Sequence, residues 1–231
     1  MKNIILNSTK LILFTSLFCF FSSCEEYLNE DFRDGLSPST FYNSDAEAEI
    51  AVNGAYSMLT DAGWFKHRDR VAWWNMATDE RSSTRNIFKE AHNIIWDEGV
   101  GDGERMWNTL YETVRNTSDA IANISGNENL SQTAIDQSLG QLYVIRAMAY
   151  YDLTCVWNDV PFFTEILAPE ELASLERTPA QTIRDAMIAD LQTAYGLLPD
   201  SWSGPDLGRM SKWAARALEA KFHMFSENWQ G

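Results

Sequence analysis

Over residues 102–124 the apolar positions Met106, Trp107, Leu110, Tyr111, Val114, Ile121 and Ile124 return at the three- and four-residue spacing of one helix face. No stretch of the chain shows the sustained strict alternation of a half-buried strand, so periodicity commits the chain to helix. A second run begins at Ser131 and continues to about Trp157, where Asn158-Asp159-Val160-Pro161 breaks it because proline cannot continue a helix. Ser44-x-x-Glu47 reads as a capping box ahead of Ile50, Ala51, Ala55, Tyr56 and Leu59, with Gly63 ending the pattern. Thr178-Pro179-Ala180-Gln181 supplies a cap, a proline at the first helical position and a glutamine to close the box. That helix runs through Ile183, Met187, Leu191 and Tyr195 to Leu198, with Pro199 just beyond. A last helix is expected over 211–225 and a shorter one over 65–78, with long loops at 81–103 and 158–177. The fold class is mainly α, built from antiparallel helix pairs.

Helix pairs raise the possibility of tetratricopeptide repeats, which need small residues where two helices touch. Ala147 and Ala149, then Ala214, Ala215 and Ala217, are suitable. Equivalent points lie much further apart than the roughly 34 residues of that repeat, so no regular array is evident.

The N-terminus has a different logic. Lys2 and Lys10 make a small basic region, Leu11 to Phe21 an apolar core of 11 residues, and Ser22-Ser23 a small pair before Cys24. Crossing a bilayer takes roughly 20 apolar residues, so the run reads as an export signal over 1–23 rather than a permanent anchor. Phe21-Ser22-Ser23-Cys24 resembles the lipobox of bacterial lipoproteins, with Phe21 where leucine is usual. Glu25-Glu26 resembles the signal that sends Bacteroidetes lipoproteins to the outer face of the outer membrane. Lipidation at Cys24 is therefore expected, against simple secretion with a chance cysteine. Several acyl chains on one residue would hold the protein to a bilayer, where a single chain gives only marginal binding.

Removing this leader takes the net charge from −15 to −17 and leaves 208 of the 231 residues. So acidic a surface repels nucleic acid phosphates and anionic headgroups, and no nucleic acid partner is expected. Cys19 would leave with the leader and Cys24 would be lipidated, leaving Cys155 in an apolar helical pattern, where a buried structural thiol is the simple reading. His67, His92 and His223 are scattered, and no zincin spacing, nucleophile elbow or phosphate-binding glycine loop occurs. A carboxylate pair in an all-helical glycosidase is the one defensible chemistry, and 33 acidic residues cannot by abundance select a pair. No catalytic residue, metal ligand or cofactor is assigned.

The stretch "LGQLYVIRAMAYYDLTCVWNDVPFFTE" at 139–165 resembles the helix and exit loop of the SusD/RagB family of outer-membrane nutrient-binding lipoproteins. Arg146, Ala147, Tyr150, Leu153, Trp157, Asp159, Val160 and Pro161 fit the family pattern, while Val144 replaces its glutamate and Asn158 its glycine. "TIRDAMIADLQTAYGLLPD" and "GRMSKWAARALEAKFHM" resemble the next two helices, and the segments at 41–59, 76–80 and 106–124 add weaker matches. The resemblance implies residues 24–231 as the N-terminal part of a tetratricopeptide-like helical scaffold, incomplete at its C-terminus because members are about twice as long. It also implies a non-catalytic lipoprotein that binds an oligosaccharide or other nutrient and closes as a lid on a SusC-like TonB-dependent transporter.

Most matching residues also have a packing explanation. Arg146 can pair with a carboxylate, Asp159 can cap or satisfy the turn before Pro161, and Trp157 can fill the core. For the ligand, "WWNMATDERSSTRNIFKEAHNIIWDEGVGDG" at 73–103 joins tryptophans, charges and a loop. Trp74, Asp79, Arg81, Arg85 and Trp96 are the candidate ligand contacts, with core packing for Trp74 and simple solvation for the arginines as the alternatives. A secreted helical glycosidase and a helical-repeat adaptor without a small ligand remain the competing functions.

Overall fold

The computed structural model describes residues 41–60, 64, 74, 78–79 and 101–229, all within the compact unit Pro38–Gly231. The helices described are α1 (Asp45–Leu59), α2 (Gly101–Ile124), α3 (Gln132–Trp157), α4 (Pro169–Ala173), α5 (Ala180–Leu197) and α6 (Lys212–Phe225). Two short strands, β1 (Val160–Pro161) and β2 (Arg177–Thr178), lie between α3 and α5. The mainly helical expectation holds, with boundaries within one residue for α3 and α6. The expected helix over 65–78 lies outside the described residues except at Trp74 and Thr78, as does most of the 81–103 loop.

Helix directions follow from which residues meet. Arg146 reaches Asp190 while Arg184 reaches the carbonyl of Thr154, so α3 and α5 run antiparallel. Trp107 meets Trp157 and Ser118 meets Arg146, which makes α2 and α3 antiparallel. Gln192 bonds Glu219 while Tyr195 touches Trp213, so α5 and α6 are antiparallel too. Helix α1, by contrast, runs alongside α3 in the same direction, joined by Asp45 to Ser131 at one end and Tyr56 to Gln141 at the other.

Helix α3 is the spine. Fifteen of its residues are buried and they fall on every side, as expected of a helix enclosed by neighbours rather than one lying on a surface. Val144, Ala147, Tyr150 and Leu153 enter a core with Met106, Leu110, Ile183, Leu191 and Phe222. Leu139, Leu142 and Ile145 face a second core with Val52, Ala55, Ile121 and Ile124. Of the small residues expected at close approaches, Ala147, Ala149 and Ala215 are fully buried, while Ala214 is half-buried and Ala217 exposed. Cys155 differs from the expectation, being half-buried at the end of the spine rather than enclosed.

The caps also differ in detail. The Ser44 hydroxyl makes no capping hydrogen bond. Glu47 still reaches back, but its Oε2 accepts from the Asn43 N–H at 2.6 Å, one residue before the Ser44 N-cap, so the expected box does not form. Pro179 takes the N-cap of α5 instead of its first turn, and an oxygen absent from proline comes from Asp159, whose Oδ1 accepts from the Ala180 N–H at 2.9 Å. Asn158, where the family pattern has glycine, ends α3 at φ 60°. Glycine is free in that region and asparagine tolerates it better than most residues.

The expected loop at 158–177 carries structure that periodicity could not show. β1 and β2 pair antiparallel, Val160 with Thr178 and Pro161 with Arg177, and two residues are too few to display alternation. The chain after β1 is then fastened by side chains. Tyr111 donates its hydroxyl to the Pro161 carbonyl at 2.7 Å. The Tyr150 hydroxyl donates to the Phe163 carbonyl at 2.7 Å and accepts from the Phe163 N–H at 3.0 Å. Arg146 Nη1 donates to the Thr164 carbonyl at 3.1 Å.

Candidate functional site

Trp64 and Trp74, which fall between α1 and α2 in sequence, meet the C-terminal half of the spine. Trp64 is fully buried and donates its indole N–H to Asp152 Oδ2 at 2.7 Å, which satisfies a carboxylate that burial would otherwise penalise heavily. Trp74 lies parallel to the Tyr151 ring, 6.1 Å between centroids and 6° between planes. Tyr151 in turn meets Phe222 edge-on at 5.2 Å. Of the expected ligand contacts, Trp74 is thus half-buried with one face against Tyr151, and Asp79 is exposed. Arg81, Arg85 and Trp96 lie outside the described residues, as does Cys24.

Several concavities are lined by described residues, and besides one of about 290 Å³ at Asn53, Tyr56 and Leu207, two are larger. One, of about 360 Å³, lies between α1, the start of α3 and the turn after α5, and includes Asp45, Glu49, Gln137, Trp202, Asp206 and Arg209. Its charges are already matched. Arg209 pairs with Glu49 and with Asp206, both at 2.7 Å, and its guanidinium lies 5.9 Å from the Tyr56 ring. Asp45 accepts from both the N–H and the hydroxyl of Ser131. These bonds join the helices, and they leave the cleft few groups to offer a ligand.

The other concavity, of about 380 Å³, is a groove between α2 and residues 163–172. Trp107, Tyr111, Arg115 and Asp119 recur every four residues along α2, a spacing that stacks side chains on one face. Phe163 faces them, its ring 6.1 Å from Tyr111 and nearly parallel to it. The aromatic row continues from Tyr111 to Trp107 at 4.7 Å and from Trp107 to Trp157 at 5.2 Å. Every ring in this row is half-buried. Trp157 therefore packs as expected without being fully enclosed. Sequence reasoning used Trp107 and Tyr111 as a core stripe; continuing the same spacing to Arg115 and Asp119 would have shown the polar half.

Behind the groove, Arg146 is 3% exposed. Both its Nε and Nη2 donate to Asp190 Oδ2, at 3.0 and 2.7 Å. Burial raises the Asp190 carboxyl above its ordinary range while the Arg146 guanidinium pulls it back down. Burial likewise raises the Tyr111 and Tyr150 phenols, which stay neutral donors. Nothing in this arrangement resembles an activated nucleophile. Among the described residues no group of three or more His, Cys, Asp or Glu side chains could hold a metal ion, and no helix there is long and apolar enough to cross a membrane.

Comparison with known proteins gives a consistent result. Residues 31–224 match the SusD-like family model described as "Starch-binding associating with outer membrane". SusD-like protein P25 of Formosa agariphila is 34% identical over 221 residues, covering 92% of this chain and 42% of that protein. A SusD-like protein of Bacteroides fragilis superposes with a TM-score of 0.71 at 18% identity, over 83% of this chain and 37% of that one. A laminarin-binding SusD-like protein superposes with a TM-score of 0.69 at 22% identity, over 80% of this chain and 41% of that one. The chain spans about two fifths of the length of these relatives.

Proposed function

The chain belongs to the SusD-like family, and on that premise we propose that the protein is a surface lipoprotein which binds a nutrient glycan and hands it to a TonB-dependent outer-membrane transporter. The observation that carries this reading is the family match over 31–224, whose description joins starch binding to the outer membrane. The laminarin-binding neighbour supports a glycan as the ligand class. On this reading residues 1–23 are the signal, Cys24 is the lipidated anchor, and 24–231 form the N-terminal part of the helical domain. The segment carrying Trp74, Asp79, Arg81, Arg85 and Trp96 contributes ligand contacts, and Trp74 itself lies against Tyr151 of α3.

The protein works by binding and not by turnover. A lid and a barrel that each bury part of the ligand can hold it without either having a deep pocket, and opening then releases it inward. The mature charge of −17 expected after loss of the leader keeps such a lid off anionic headgroups. The test is purification of the full-length protein from outer membranes, followed by uptake measurements after deletion of its gene. Co-purification of a barrel partner and loss of uptake of one glycan are expected. Recovery without any barrel, together with undiminished uptake, defeats the reading.

A further inference from the structure

We propose that the groove between α2 and residues 163–172 is a glycan subsite, lined by residues other than the candidate contacts at 74–96. The proposal rests on the glycan-binding reading above. Arg115, Asp119 and Glu165 line this groove, and among the described residues their charged side-chain atoms have no hydrogen-bond or ion-pair partner. In the cleft beside α1, by contrast, Arg209 is consumed by Glu49 and Asp206, and Asp45 by Ser131. Here the charges stand beside the Phe163 ring, with the Asn116 amide between Arg115 and Asp119 on α2.

The chemistry selects the ligand. Two carboxylates against one guanidinium, on a chain of net charge −15, disfavour an anion. Two carboxylates alone are too few for a cation site, consistent with the lack of a metal-binding group among the described residues. A wholly apolar occupant would displace water from these polar groups without offering them partners, which disfavours it. What remains is a neutral molecule with apolar faces and many hydroxyls. A sugar ring lays a C–H face on Phe163 and offers its hydroxyls to Arg115, Asn116, Asp119 and Glu165. At about 380 Å³ the groove is at the small end of ligand sites, suited to a short stretch of a chain rather than to a large ligand.

The site is also held in shape before any ligand arrives. Its loop wall is fixed by Tyr111, Tyr150 and Arg146 through backbone atoms of 161–164. Its helical wall is fixed by Leu110, Val114 and Ser118, which are buried on the adjacent face of α2. Binding therefore pays little ordering entropy. The aromatic row toward Trp107 and Trp157 extends the stacking surface beyond the groove, as a polymer would need.

The experiment measures binding of laminarin and of soluble starch to the full-length protein and to Arg115→Ala, Glu165→Ala and Trp96→Ala variants, with melting temperatures alongside. Arg115 and Glu165 are exposed, so melting should not change. Each groove variant is expected to weaken one of the two glycans by about tenfold, the scale of a lost hydrogen bond to a charged group. Unaltered affinity in both groove variants, with Trp96→Ala weakened, overturns the subsite and leaves the family reading standing. Weakening in the groove variants but not in Trp96→Ala supports the groove and removes Trp96. Failure of the unmodified protein to bind either glycan overturns the subsite together with the glycan reading.

Discussion

A β-carbon added to Gly140 would lie 2.6 Å from Cγ and 2.9 Å from Cδ2 of Leu198. Helix α3 therefore touches the end of α5 with its backbone, and Leu198, 5% exposed, has little room to retreat. Alanine at 140 gains about 1 kcal/mol in helix propensity, while overpacking a filled core costs about 1–3 kcal/mol. The clash is with a branch point rather than a mobile tip, so the overpacking term should win. Gly140→Ala is expected to lower the melting temperature, and the double variant with Leu198→Ala to lose less stability than the sum of the two single variants. A Gly140→Ala protein melting at or above the unmodified one contradicts this packing account.

Arg146 joins three elements, bonding Asp190 on α5, Ser118 on α2 and the Thr164 carbonyl. Arg146→Met keeps most of the volume and strands a carboxyl that burial already raises. Removing one partner of a buried pair costs about 3–5 kcal/mol, and that is the loss expected at neutral pH by denaturant unfolding. The sign with pH follows from linkage. Without its cation Asp190 titrates still higher in the folded state, so the folded protein binds more protons than the unfolded one and the deficit shrinks on acidification. A deficit that grows toward low pH would contradict the pairing.

Asp45 gives the opposite sign. Its two oxygens accept from the Ser131 N–H at 2.8 Å and from the Ser131 hydroxyl at 2.7 Å, and these bonds lower the carboxyl below its usual value of 3.8. A group lowered on folding contributes stability that is fully present above its unfolded value and is lost as pH falls through the folded one. The unmodified protein should therefore exceed Asp45→Asn by a constant margin between about pH 5 and pH 7, well above the unfolded value, and the margin should narrow below 3.8. Chemical denaturation across that range measures it.

These relationships show where the sequence could be read and where it could not. Helices α2 and α5 were legible from a long apolar period that tertiary packing then uses, and α3, buried on every side, from its start at Ser131 and its break at 158–161. The caps were legible only in part, since Ser131 does cap α3 while Ser44 does not and Asp159 caps a helix 21 residues away. A bond between residues distant in sequence leaves no local spacing to detect. The groove was half legible. Trp107 and Tyr111 announced a helix face, but Phe163 belongs to a loop whose path is set by three remote side chains. Trp64 carried no signal beyond being a tryptophan, because its meaning lies in Asp152, 88 residues on.

The expected anchor at Cys24 follows from the chemistry on either side of it. Apolar residues 11–21 end in two serines, and carboxylates begin immediately after the cysteine at Glu25-Glu26. A processing enzyme that cuts before Cys24 would leave its amine and thiol at a new N-terminus, both open to acylation, and more than one chain is what stable membrane attachment takes. The unmodified full-length protein is expected to partition into the detergent phase and to incorporate a fatty-acid analogue, and Cys24→Ala to do neither. Cys155→Ala serves as the comparison, since that thiol lies at the half-buried end of α3 and its loss should leave labelling intact. Equal labelling of the unmodified and Cys24→Ala proteins would remove the anchor.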